Sequence, residues 1–145
     1  MKPAVYRLDM VPRGASRPRA ARGGGRVYMP PEHRAWMDEA VGKLRQQREA
    51  QSAETVRVAV EVQMQFLWPM PKARPSWCSP DAWRERGAYG IARTTKPDGD
   101  NCEKAVLDAL VAAGVLEDDA LVVRASWTKM HAQEGPLIEI YVDPF

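Results

Sequence analysis

The chain has 145 residues, 45% apolar and 28% charged, the size and make-up of one folded domain with its own core, which excludes a disordered or collagen-like chain. It has no apolar run of about 18 residues, and its first residues, MKPAVYRLDM, lack the apolar core of a signal peptide, so a cytoplasmic location is expected and a membrane span or secretion is not. Net charge is only +2, but Arg13, Arg17, Arg19, Arg22 and Arg26 share an acid-free stretch, while seven acids and one base, Lys104, lie between Asp98 and Asp119; the first suits a polyanion and the second a divalent cation.

In chain order, VYRLDMV (Val5 to Val11) reads as a first strand. The following Gly/Arg segment, GASRPRAARGGGR, has too few apolar side chains to pack and reads as a basic arm over residues 12–26. Pro30 and Pro31 introduce a helix that fades near Glu49, with Trp36, Ala40 and Leu44 on one face. From Val56 to Phe66 apolar and polar residues alternate, the clearest strand signal in the chain. Residues 69–95 carry prolines, tryptophans and bases; Ser79-Pro80-Asp81 can start a short helix there, and the rest reads as a long loop. After KPDGDN, the segment CEKAVLDALVAAG places Cys102, Val106, Ala109, Leu110 and Ala113 at helical spacing, with Gly114 as its stop. Ala120 to Met130 and Leu137 to Val142 then read as two strands of a closing hairpin. The expected fold class is α/β (α+β): a small mixed or antiparallel sheet with two main helices, in a single domain spanning 1–145.

The stretch KPDGDN, Lys96 to Asn101, admits two readings. Asp98-Gly99 can be a turn, and Asp100 with Glu103 a capping box. Alternatively, if the segment is extended, Asp98 and Asp100 face the same way and repel unless a hard cation such as Mg2+ lies between them. Lys104, one turn into the helix, can point back to the same place, and the loop after the helix can return Asp118 and Asp119 to it. Together these groups suit metal-assisted phosphodiester chemistry. Cys78, Cys102, His33 and His131 have no spacing typical of a structural zinc site. Trp68, Trp77 and Trp83 suit either a core or base stacking.

The run KPDGDNCEKAVLDALVAAGVLEDDALVV, Lys96 to Val123, resembles the signature of the RusA-type Holliday-junction resolvases of phages and prophages: a basic residue, D-x-D-N, a lysine three residues on, D-A-L, and a closing D-D before a strand. Upstream, RPRAARGGGRVYMPPEHRAW resembles the family's arginine-rich arm and V-Y-x-P helix entry, and PKARPSW the segment before the site. The resemblance implies a RusA-like fold and a homodimeric crossover junction endodeoxyribonuclease, acting on branched DNA, four-way junctions above all, with Mg2+ or Mn2+ in recombination and repair in a bacterial cytoplasm. It implies Asp98, Asp100 and Asp119 as metal ligands and Lys104 as the catalytic cation. Phosphate contact is expected from Arg13, Arg17, Arg19, Arg22, Arg26 and Lys96. Asp118 matches the less firmly catalytic acid of the closing pair, and Asp108 reads as structural. Two positions depart from the pattern: Gly99 and Cys102 replace a branched apolar residue and a leucine, which implies looser packing behind the aspartates. The alternatives are a nuclease for flaps or forks, and a junction-binding module with a weak catalytic site.

Overall fold

A computed structural model describes residues 1–86 and 90–145, with the side chains of Arg19 and Arg86 outside the described set. Its elements are β1 (Ala4–Leu8), β2 (Arg19–Ala20), β3 (Val27–Tyr28), α1 (Pro31–Ala50), β4 (Val60–Pro69), α2 (Pro80–Arg86), β5 (Ile91–Ala92), α3 (Gly99–Ala112), a 3-10 turn (Asp119–Leu121), β6 (Val122–Ala132) and β7 (Leu137–Pro144). The main sheet runs in the order β1, β7, β4, β6, β5. Its pairs are antiparallel except β4 with β6, which is parallel. This is the expected α+β class, with α1 and α3 as the main helices. Among the described residues no helix is long and apolar enough to cross a membrane.

One face of the sheet forms the core. Val60, Val62, Met64 and Phe66 of β4 point the same way, as their alternation predicts, and meet Leu44 of α1 and Val106 and Leu110 of α3. All seven are no more than 1% exposed. The strand itself begins later than its pattern. Val56 pairs instead with the segment after α3, its N–H donating to Val115 O at 2.9 Å, and Val58 is 51% exposed. β4 then continues through Leu67 and Trp68, both buried.

The closing hairpin does not form. β4 lies between β6 and β7 and pairs with both, Met64 opposite Trp127 on one side and Ile140 on the other. The link from β6 to β7 therefore crosses the end of β4. Gly135 passes so close to the backbone of Trp68 and Pro69 that a Cβ there would overlap it, and β4 ends at Pro69, which has no N–H to extend the ladder. A run of apolar alternation states which face of a strand is buried, not which strands flank it.

Two segments read as loops hold short strands. Within the arm, β2 and β3 pair in a small ribbon closed by Gly23, Gly24 and Gly25, all at positive φ. In the 69–95 segment α2 starts where expected, with Ser79 Oγ accepting from Ala82 N at 3.1 Å. β5 then pairs with β6 at His131 and Met130. Gly87, Ala88 and Tyr89 of that segment lie outside the described residues.

Candidate active site

The N-terminus of α3 organises the acidic region. Asp98 is extended, at φ −67° and ψ 145°, and is the N-cap residue. Its carbonyl accepts from Cys102 N at 3.1 Å, so the helix begins at Gly99 and Asp100 falls in its first turn. This corrects both local expectations: Asp100 is not the N-cap, and the two aspartates do not share one extended segment. The Asp98 side chain makes no capping bond. It accepts two hydrogen bonds from Lys96 Nζ, each 2.8 Å. That ammonium holds the Asp98 carboxyl below the ordinary carboxylate range, first through these bonds and then through its charge, and Lys129 adds to the shift.

Asp100, Glu103, Lys104, Leu107, Asp108 and Asp119 line one open pocket of about 260 Å³. Three residues singled out from the sequence, Asp100, Lys104 and Asp119, thus come together. Lys104 Nζ stands 3.7 Å from an Asp108 oxygen. Asp108, read from the sequence as lying beyond the site, is part of the same pocket. Asp118 does a different task from its neighbour: its Oδ1 accepts from Ala120 N at 2.8 Å and caps the 3-10 turn. That bond lowers the Asp118 carboxyl below its usual range, followed by a hydrogen bond with Asp119. Asp118 thus caps the turn, while Asp119 lines the pocket.

Asp98 does not line this pocket; it stands one residue before Gly99, turned to Lys96. Among the described residues no group of three His, Cys, Asp or Glu side chains is gathered closely enough to hold a metal ion as they stand here. The chemistry of the set nevertheless fits a hard divalent cation. Asp98, Asp100 and Asp119 offer only oxygen donors, and all three are exposed. To join the other two, Asp98 has to release Lys96, an exposed pair that water screens well.

The arm enters the site by its root. Pro12 is buried and Trp36 Nε1 donates to Val11 O at 3.0 Å. Ala15 N donates to Asn101 O at 3.0 Å. A Cβ on Gly14 would come within 3.1 Å of Pro97 and 3.2 Å of Asn101, so the arm's backbone lies directly across the start of α3. Arg13 is half-buried, and Arg17, Arg22 and Arg26 are exposed. Among the described residues none of these four pairs with an acid. The Arg19 side chain lies outside the described set. Lys96, expected on phosphate, is engaged with Asp98.

Strand β6 supplies residues that sequence reasoning missed. Lys129 Nζ donates to Thr95 O at 2.7 Å and to Pro97 O at 2.6 Å. The Trp127 indole lies over Gly99, where a Cβ would overlap its six-membered ring. The only prior signal for either was composition, since nothing in local spacing ties β6 to KPDGDN. Cys102 is fully buried beneath the site, and burial pushes its thiol up to about 11. Of the tryptophans in the 69–95 region, Trp68 is 5% exposed and carries the Arg93 guanidinium 4.3 Å from its ring centroid, while Trp77 is 53% exposed.

Comparison with known proteins gives the family. The family profile described as endodeoxyribonuclease RusA matches residues 9–143. An uncharacterized protein of Bacillus subtilis (strain 168), YqaN, is 31% identical over 133 residues, covering 90% of this chain and 89% of that protein. The profile match takes in the arm, both main helices, the acidic pocket and β4, β5, β6 and all but the last residue of β7, while β1 precedes it, and the chain therefore belongs to the RusA endodeoxyribonuclease family.

Proposed function

We propose that this endodeoxyribonuclease resolves four-way DNA junctions in recombination and repair, acting as a homodimer with Mg2+, or Mn2+ in its place. The observation that carries the reading is the pocket at the start of α3, where Asp100, Asp119 and Lys104 meet, with the root of an arginine-rich arm crossing the same helix start at Pro97 and Asn101. Asp98, Asp100 and Asp119 are the residues that would hold the ion. When bound, a divalent cation supplies Lewis-acid charge and water activation for phosphodiester hydrolysis.

The remaining roles belong to the chain. Lys104 offsets negative charge building on the phosphate oxygens as the bond to the 3′ oxygen breaks and water adds to phosphorus, leaving a 3′-hydroxyl and a 5′-phosphate. The N-terminus of α3 adds its positive potential at the same place. Arg13, Arg17, Arg19, Arg22 and Arg26 contact phosphates, which gives affinity without sequence information. Lys96 joins them once it leaves Asp98. Two copies present two sites, one for each of two opposed strands.

A labelled four-way junction incubated with Mg2+ is the direct test. Paired nicks in opposed strands are expected, reduced more than about a hundredfold in Asp100→Asn. Equal product from wild type and Asp100→Asn sinks the reading. Faster cutting of a flap or fork moves the substrate elsewhere, and tight junction binding without product leaves a binding module.

A further inference from the structure

Three consecutive carbonyls lead into Asp98, and each is held by a cation. Lys129 Nζ takes Thr95 O at 2.7 Å and Pro97 O at 2.6 Å. Arg93 Nη2 takes Lys96 O at 2.6 Å. The two cations are tied to each other, since Arg93 N donates to Lys129 O at 3.0 Å. Both are anchored in the fold: Lys129 stands beside the fully buried Phe66 in the sheet, and Arg93 rests on Trp68. An ammonium has three donors and no acceptor, so it can hold two carbonyls at once from a single strand position.

We infer that Lys129 is a positioning residue of the nuclease site: through the Thr95 and Pro97 carbonyls it fixes the turn that presents Asp98 and Asp100. The inference rests on the reading above that these aspartates hold the ion. Asp98 and Asp100 straddle the helix start, and without an anchor beneath the turn their separation follows the motion of residues 95–97. Lys129 does not touch DNA in this scheme. It acts on the ligands through the backbone, as groups behind a metal site commonly do.

The test compares wild type, Lys129→Met and Lys129→Arg by Mn2+ titration, steady-state cleavage of a four-way junction, urea unfolding and amide hydrogen exchange. In Lys129→Met, Mn2+ affinity and kcat should each fall about 10- to 100-fold, with KM for DNA within about twofold of wild type. The amides of Lys96, Asp98, Gly99 and Asp100 should exchange faster while those of β4 do not, and Lys129→Arg should recover most of the loss. A folded Lys129→Met protein with wild-type Mn2+ affinity and kcat overturns the inference. So does a loss that spreads to the amides of β4 and that arginine does not rescue, because that pattern marks a residue needed only for the fold. If Lys129→Met does not fold, Lys129→Thr, which suits a strand and whose hydroxyl is too short to reach either carbonyl, takes its place under the same criteria. Wild type that neither binds Mn2+ nor cuts DNA overturns the nuclease reading, and amide exchange then still decides whether Lys129 holds the turn.

Discussion

Gly99 lies between the two leading aspartates with the Trp127 ring against it, and the absence of a Cβ is what makes the fit possible. The family pattern has a branched apolar residue at this position. Here the volume of that side chain comes from β6, so glycine and tryptophan form an exchange rather than a gap. Gly99→Val should therefore destabilise the protein by about 1–3 kcal/mol, as overpacking does. Adding Trp127→Leu should return much of that loss. Urea unfolding of the two single variants and the double variant checks this, and strictly additive effects would refute the exchange. Cys102 is the second departure: the thiol is fully buried and, pushed up to about 11, stays protonated at neutral pH. The expectation of looser packing behind the aspartates does not hold at Gly99, where the Trp127 ring takes the space a side chain would fill. That outcome was not legible beforehand, because Trp127 lies 28 residues from Gly99 along the chain.

At the scale of elements, α3 was the most legible part of the molecule. Its apolar residues recur on one face, and Cys102, Val106, Ala109 and Leu110 are all buried against the sheet and α1. Leu110→Ala should cost about 2–5 kcal/mol, as truncation in a filled core does. Val123→Ala, at a side chain 53% exposed on β6, should stay within about 0.5 kcal/mol. Comparing their denaturation midpoints tests whether the α3 face is the core. The start of α3 was less legible than its body, since Asp98 and Asp100 are both acceptable N-caps and only the bond from Cys102 N to Asp98 O decides between them. Pairing was least legible. β6 and β7 follow one another with a short link, the usual sign of a hairpin, yet β4 takes the place between them. β5, two residues long, has no periodicity to detect.

Over the whole molecule, the charge pattern that was striped along the sequence becomes superposed in space. The root of the basic arm crosses the start of α3 at Gly14 and Ala15, next to the helix turn that carries Asp100. If the arm's guanidinium groups meet phosphates, replacing Arg17, Arg22 and Arg26 together by glutamine should weaken junction binding and flatten its salt dependence. The slope of log affinity against log salt should shrink by about 0.9 for each duplex phosphate that the arm no longer neutralises. A slope equal to that of wild type, measured by anisotropy across a salt series, would place the arm off the DNA. By itself the sequence determined the two main helices, the buried face of β4 and, of the expected set Asp98, Asp100, Lys104 and Asp119, the nearness of all but Asp98, because these depend on periodicity and on residues joined by one short helix and its loop. Only the tertiary structure decided that β4 is central, that the arm lies over α3, and that Trp127 and Lys129 reach under KPDGDN. Those contacts join residues far apart in the chain, and they follow from strand order and register, which the apolar pattern of a single strand does not encode.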